Sequence, residues 1–309
     1  MRSVVRLASV SVDLDEIPNY FEIHGLDVPH ASAGLVYDVA LGRLQELAAA
    51  GGFPLTLFAI GRDLDRSVAR DGLAKAARAG HEIANHSLDH RYDLVRLGRE
   101  EIRRQIDEGR RVIEEATGER PVGFRAPGYT ITDEVFDVLG ELDVSYDASV
   151  FPCPAYYLAK TAAIGAIALR GRRSRSIVDT PQVLRAPTQP YRIGRPYWRR
   201  GRGLLEIPVQ VTRGPRLPFI GTAVTLAGPS KARLLTKMCV GEPLVNLELH
   251  GIDVLDAADG LEALRPHQPD VRVAAGTKSE AILAAVEVLR DAGYSFVTMR
   301  EAAAAFGAG

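Results

Sequence analysis

The sequence predicts an α/β chain in which strands and helices alternate around a parallel sheet or barrel. Apolar runs rich in β-branched residues alternate with helical patterns along most of the 309 residues, as repeated β-α units do. The residues with chemical potential (Asp13, Asp15, His86, Arg125, Asp147 and His250) fall at the C-terminal ends of the apolar runs or just beyond, which is where barrels of this kind gather an active site. With 46% hydrophobic and 25% charged residues, the composition is that of an ordinary globular protein. The length suits one α/β barrel or two smaller units. No internal repeat or low-complexity segment stands out, so a single domain over 1–309 is expected, with an insertion at about 152–203.

The first strand is expected at Val4–Val12, an apolar run closed by Asp13-Leu14-Asp15. A helix over Val36–Ala50 leads to a strand at Pro54–Ile60, and a helix over Ser67–Ala79 to a strand at Glu82–Asn85. In Arg99–Ala116, Ile102, Ile106 and Ile113 fall near one face with charged residues around the rest, an amphipathic helix. Val122–Arg125 reads as the next strand. Thr132 followed by Asp133 and Glu134 starts a helix running to Leu142, and Ser145–Ser149 is a short strand. The rhythm then breaks: Pro152 to Gly203 is Pro- and Arg-rich and lacks a clear period, and a long insertion on a compact domain is usually functional or mobile. Strands at Leu204–Val211, Leu244–Leu249 and Tyr294–Thr298, with a helix over Ser279–Ala292, complete the pattern.

The formal net charge of -1 gives no electrostatic case for a nucleic-acid partner. Two cysteines, Cys153 and Cys239, make neither a disulfide framework nor a CxxC pair. No apolar stretch reaches the roughly 20 residues needed to span a bilayer. Met1-Arg2 runs at once into the first strand, leaving no room for a removable signal peptide, so a cytoplasmic location is expected.

Three short clusters carry the chemistry: Asp13-Leu14-Asp15, His86-Ser87-Leu88-Asp89-His90 and Leu247-Glu248-Leu249-His250-Gly251. Residues two apart on a strand share a face, so Asp13 and Asp15 can enter one pocket. His86 and His90 share a face if their segment is helical. Two imidazoles and a carboxylate make a common open metal shell, and a further carboxylate beside a metal is what a general base looks like. Each cluster alone has a plain reading: a turn or cap for the aspartates, surface decoration for the histidine pair, a proline-glycine turn for Phe124-Arg125-Ala126-Pro127-Gly128-Tyr129. Their order, each at a strand end, raises the metal-site reading above these.

In these motifs the chain resembles the polysaccharide deacetylases of the NodB-homology type, carbohydrate esterase family four, and within them a subgroup with an Asp-x-Asp opening. Five ordered segments match, from Val4 to about Arg300. The resemblance implies a distorted (β/α) barrel and one divalent metal, zinc in most members, held by Asp15, His86 and His90. It implies Asp13 as catalytic base, Arg125 as the arginine that orients it, and His250 as general acid. It also implies Asp147, with Asp143 as rival, as the carboxylate that orients His250, and Leu249 or Leu247 as a wall for the acyl methyl. Where the family has an aromatic directly after the third motif's proline, Gly128 stands here and Tyr129 follows, making the Gly128 N–H the oxyanion donor. Tyr146-Asp147-Ala148-Ser149 resembles the Tyr-Asp-Ser-Ser form of deacetylases from exopolysaccharide loci.

The expected function is metal-dependent removal of an N-acetyl group from an amino sugar in a glycan, oligosaccharide or sugar precursor. Two alternatives keep the fold: deformylation of a lipid-linked aminosugar, and hydrolysis of a cyclic amide. A third is a catalytically silent sugar-binding barrel. The insertion has two readings. It is a lid with solvated arginines, or it is an interfacial surface over 155–175, with Tyr156, Tyr157, Leu158, Ile164 and Ile167 against a bilayer and Arg170, Arg172, Arg173 and Arg175 on anionic head groups. Tyr191, Tyr197 and Trp198 either stack on sugar or pack the lid.

Overall fold

The computed structural model describes residues 6–29 and 33–307, so Val4 and Val5 of the expected first strand lie outside the described residues. Among the described residues nine strands form one sheet: β1 (Leu7–Asp13), β2 (Leu55–Ala59), β3 (Glu82–Asn85), β4 (Gly123–Phe124), β5 (Tyr146–Asp147), β6 (Tyr191–Ile193), β7 (Arg200–Glu206), β8 (Leu244–His250) and β9 (Ser295–Phe296). Their order is β6-β7-β5-β4-β3-β2-β1-β8, with β9 also paired to β1. All pairings are parallel except the β6–β7 hairpin. A bridge from Ile220 to Glu248 carries the chain beyond β7 round to β8. The result is a curled, distorted barrel. The helices are α1 (Ile17–Ile23), α2 (Leu41–Gly51), α3 (Ser67–Arg78), α4 (Arg99–Thr117), α5 (Asp133–Glu141), α6 (Pro154–Leu169), α7 (Gly221–Lys237), α8 (Ala275–Asp291) and α9 (Met299–Gly307).

Alternation along the strands separates two environments. Val10, Val12, Leu247 and Leu249 join Leu44 of α2 and Ile282 and Ala285 of α8 in one buried apolar cluster. On the opposite face of the same strands, Ser9 and Ser11 each donate to Asn246 Oδ1 at 3.1 Å. Register then sets Asp13 beside His250 across the β1–β8 pair. At the other end of the strands α9 closes the barrel: Met299 N–H donates to Thr56 Oγ1 and Arg300 N–H to Glu82 Oε2. Met299 and Ala302 pack there with Leu7, Phe58 and Tyr146.

The first five strands and most helices lie within a few residues of their expected places, and Thr132 caps α5 by accepting from the Val135 N–H. The strand expected at Leu204–Val211 instead ends at Glu206, because Pro208 lacks the N–H a ladder needs. Its polar start, Arg200-Gly201-Arg202-Gly203, is ordered by pairing with β6, a strand too short to leave a pattern. Helix α7 is interrupted at Gly228, whose φ of 72° precedes Pro229, and that break hides its period. Within the insertion, Pro154–Leu169 is helical. Its inner stripe is Tyr156, Tyr157, Lys160, Ile164 and Ile167, whereas Leu158 and Leu169 point out. Tyr191 and Tyr197 are buried in the core beneath, with Trp198 half-buried against Tyr197, so the two tyrosines pack the insertion.

Candidate active site

The centre of the site is Arg125, carried just past β4 and fully buried. Its Nη1 donates to Asp13 Oδ1 at 2.6 Å, its Nη2 to Ser11 Oγ at 3.0 Å and its Nε to the Ala148 carbonyl at 2.9 Å. The guanidinium also lies over the Phe58 ring, 4.1 Å from its centroid. A buried charge needs such full pairing, and the arrangement fixes the Asp13 carboxylate in one orientation.

Beside it, Asp15, His86 and His90 converge. Asp15 Oδ1 lies 3.2 Å from both His86 Nε2 and His90 Nε2, and all three residues are buried. Leu14, between the two aspartates, turns into the apolar cluster on the far face. The other nitrogen of each ring is already engaged. His86 Nδ1 is 2.8 Å from the Arg125 carbonyl, to which it donates, and His90 Nδ1 is 3.3 Å from Asn19 Oδ1. These contacts leave both Nε2 lone pairs facing Asp15. The histidines do not share a helix. Their segment is a turn held against α4: Asn85 Nδ2 donates to the Ile106 carbonyl and Leu88 N–H to the Gln105 carbonyl. Positive φ values at Ser87 (70°) and His90 (51°) bend it inward. Gly109 of α4 permits the contact, since a Cβ there would meet Asn85 Oδ1 at 2.7 Å and the Ser87 carbonyl carbon at 2.9 Å.

Whether these residues fit a metal can be tested on the atoms themselves. Asp15 Oδ1, His86 Nε2 and His90 Nε2 are buried and lack hydrogen-bond partners, a costly arrangement unless something else binds them. A tetrahedral ion with bonds of about 2.0–2.1 Å holds its ligand atoms roughly 3.3–3.4 Å apart, close to the spacing found. The donor set fits.

The His250 side of the site comes from β8. His250 Nδ1 is 3.0 Å from Glu248 Oε1, His250 Nε2 is 3.4 Å from the Tyr129 hydroxyl, and the His250 N–H donates to Asp253 Oδ2. Burial disfavours an imidazolium, yet the Glu248 charge outweighs it, with Asp15 and Asp13 behind, and holds the His250 pKa well above its usual value. Burial likewise pushes Glu248 up, but His250 and then Arg125 leave it below the ordinary glutamate value. Tyr129, buried beside Glu248 and Asp13, has its pKa raised well above 10 and stays a neutral hydroxyl.

Three expected placements differ. Asp147 does not orient His250: its carboxylate accepts from the Ser149 Oγ and N–H, and Ser149 Oγ accepts from the Ala126 N–H, so it braces the loop after Arg125. Across the β5–β7 pair it faces Glu206, whose pKa burial and then Asp147 raise well above the carboxylate range. Asp143 is exposed at a turn with φ 53°. The partner of His250 is Glu248, two residues back on the same strand. Leu249 and Leu247 point into the outer apolar cluster and cannot wall the pocket, since the strand that turns Glu248 and His250 inward turns them away.

Gly128 does lie at the site, in a turn where its φ is 64° and a Cβ would meet the Tyr92 ring at 2.9 Å. The Tyr129 N–H is spent on the Ala126 carbonyl, leaving Gly128 N–H as the turn's candidate oxyanion donor. Lys160 of α6 donates to the Gly128 carbonyl at 2.8 Å; burial pushes its pKa down to about 8. Glu248 was legible from its i−2 spacing to His250; Asn19 and Lys160 carry no motif that would single them out.

Residues 41–146 match the family model described as polysaccharide deacetylase. Over that segment the chain is similar to the polysaccharide deacetylases. The match covers about a third of the chain and includes His86, His90 and Arg125; Asp13, Asp15 and His250 lie outside it. Solved structures extend the likeness at the level of fold. A Mycobacterium smegmatis protein assigned to the polysaccharide deacetylases is similar over 94% of this chain and 93% of its own, with 20% identity and a TM-score of 0.51. A family-four pseudoenzyme from Bacillus anthracis is similar over 96% of this chain, with 14% identity and a TM-score of 0.50, and this chain spans 65% of it. A mutant of that pseudoenzyme with restored enzymatic activity aligns equally well, so polysaccharide deacetylase folds of this shape exist both with and without activity. No curated protein matches the sequence.

Proposed function

We propose that the protein is a hydrolase that removes the acetyl group from an N-acetylated amino sugar in a glycan, using one divalent metal, zinc by its donor set. The observation that carries this reading is the convergence of three buried, unpartnered ligand atoms on Asp15, His86 and His90, next to a carboxylate fixed by Arg125. The silent-barrel reading is disfavoured by the intact set of Asp13 and His250.

A metal at Asp15, His86 and His90 would polarise the amide carbonyl and make a bound water acidic. Asp13 is the base: Arg125 occupies Oδ1, and Oδ2 faces the triad, 3.8 Å from His86 Nε2, where it can take the proton of an attacking water. In this reading the Gly128 N–H donates to the oxygen that becomes negative, with the turn held by Lys160. His250, kept protonated by Glu248, delivers its proton to the leaving amine, and the Tyr129 hydroxyl steadies the ring. Products are free acetate and the sugar amine.

The test is acyl release followed by NMR, with metal-loaded and chelated protein, on N-acetyl oligosaccharides, nucleotide-linked N-acetyl sugars and a lipid-linked precursor. Chelator-sensitive acetate is expected. Formate would move the enzyme to deformylation, and silence from fully metal-loaded protein would overturn the deacetylase reading.

A further inference from the structure

Helix α6 is oddly dressed for a surface element. A helix lying on a protein is apolar toward the core and polar toward water. Here the inner stripe holds polar groups beside Ile164 and Ile167: Tyr156 packs on Phe151 with ring centroids 4.6 Å apart, and Lys160 reaches the Gly128 carbonyl. The outer surface is mostly alanine, interrupted by Thr161, and carries two exposed leucines, Leu158 at 67% and Leu169 at 91%. Contiguous exposed apolar surface of this kind marks an interaction site.

Charge says what covers it. Between Asp147 and Asp179 the sequence has no acidic residue and five basic ones: Lys160, Arg170, Arg172, Arg173 and Arg175. The four arginines follow the helix directly and are exposed. Arg175 pairs with Glu22, whereas Arg170, Arg172 and Arg173 form no ion pair among the described residues. An apolar face beside a run of unpaired arginines is complementary to a bilayer with anionic head groups, into which such a helix sinks by its apolar face. No helix among the described residues is long and apolar enough to cross a membrane, so the contact is peripheral.

We propose that α6 and the arginines after it dock the protein on an anionic membrane surface. Because Tyr156 and Lys160 join α6 to Tyr129 and Gly128, docking sets the site mouth against glycans held at that surface, a consequence that rests on the hydrolase reading; the docking itself does not.

The test is flotation of the full chain with vesicles of phosphatidylcholine alone or containing one-third phosphatidylglycerol. Binding to the anionic vesicles is expected, with loss at high salt. Replacing Arg170, Arg172 and Arg173 by Gln together should weaken it roughly 100-fold, at about 1 kcal/mol per arginine. Leu158→Asp with Leu169→Asp should abolish it while leaving helix content and turnover of a soluble substrate unchanged. No binding to anionic vesicles at low salt overturns the proposal, as does binding indifferent to both sets of substitutions. A dimer dissolved by Leu158→Asp, without vesicle binding, would assign the face to a second copy. Because flotation needs no turnover, its result stands whether or not the deacetylase reading survives.

Discussion

The two halves of the site are built on opposite principles. On the metal side, Asp15, His86 and His90 come from two strand ends, are sealed from solvent, and keep three atoms without protein partners. On the acid side, His250 and Glu248 come from one strand, face each other at 3.0 Å, and leave the imidazole side chain about one-fifth exposed. The first half brings three ligand atoms from two strands to one point. The second is a single ion pair that stays open to the pocket, as the proposed proton donor requires.

The largest effects should come from breaking the metal side. His86→Ala or His90→Ala is expected to abolish metal binding in direct titration and to cost more than about 10⁴ in kcat/KM, beyond the roughly 10²–10⁴ of a lost acid or base. Arg125→Met comes next: it leaves the buried Asp13 carboxylate unpaired and should cost roughly 3–5 kcal/mol of stability in denaturant unfolding. Unchanged stability would mean that Arg125 is not the buried counter-charge described.

On the acid side the signature is a pH profile. In the proposed mechanism His250 acts when protonated, so activity is expected to fall as pH rises through its pKa, which Glu248 raises. Glu248→Gln removes that support, and the alkaline limb of kcat/KM should move to lower pH. Asp147→Asn, which touches the Ser149 brace and not His250, should leave the limb in place; a shift with Asp147→Asn alone would reverse the assignment. The smallest effect is at the outer contact of His90: Asn19→Ala should weaken metal affinity by about 10–100-fold with turnover of the loaded enzyme nearly retained.

The same contrast explains what the sequence could disclose. The proposed metal side is legible because its candidate ligands follow apolar strands and repeat a spacing, even though the histidines meet through a turn clamped on α4 and not along a helix. Period-2 alternation placed Asp13 and Asp15 in one pocket, and the same rule on β8 puts Glu248 with His250 and turns Leu247 and Leu249 outward. The motif resemblance points instead to Asp147 or Asp143, because a motif does not say which face of a strand each residue presents. The insertion stayed opaque for another reason. A helix whose exposed face is apolar, and a strand β7 begun by Arg and Gly, lack the polar alternation by which surface elements announce themselves.

The central claim is that Asp15, His86 and His90 bind the metal while Asp13 acts on the proton beside it. It is tested most directly by measuring bound metal and turnover together in Asp13→Asn. The account predicts one equivalent of metal retained and kcat lowered by roughly 10²–10⁴. Wild-type turnover in this variant, or loss of its metal, would contradict it.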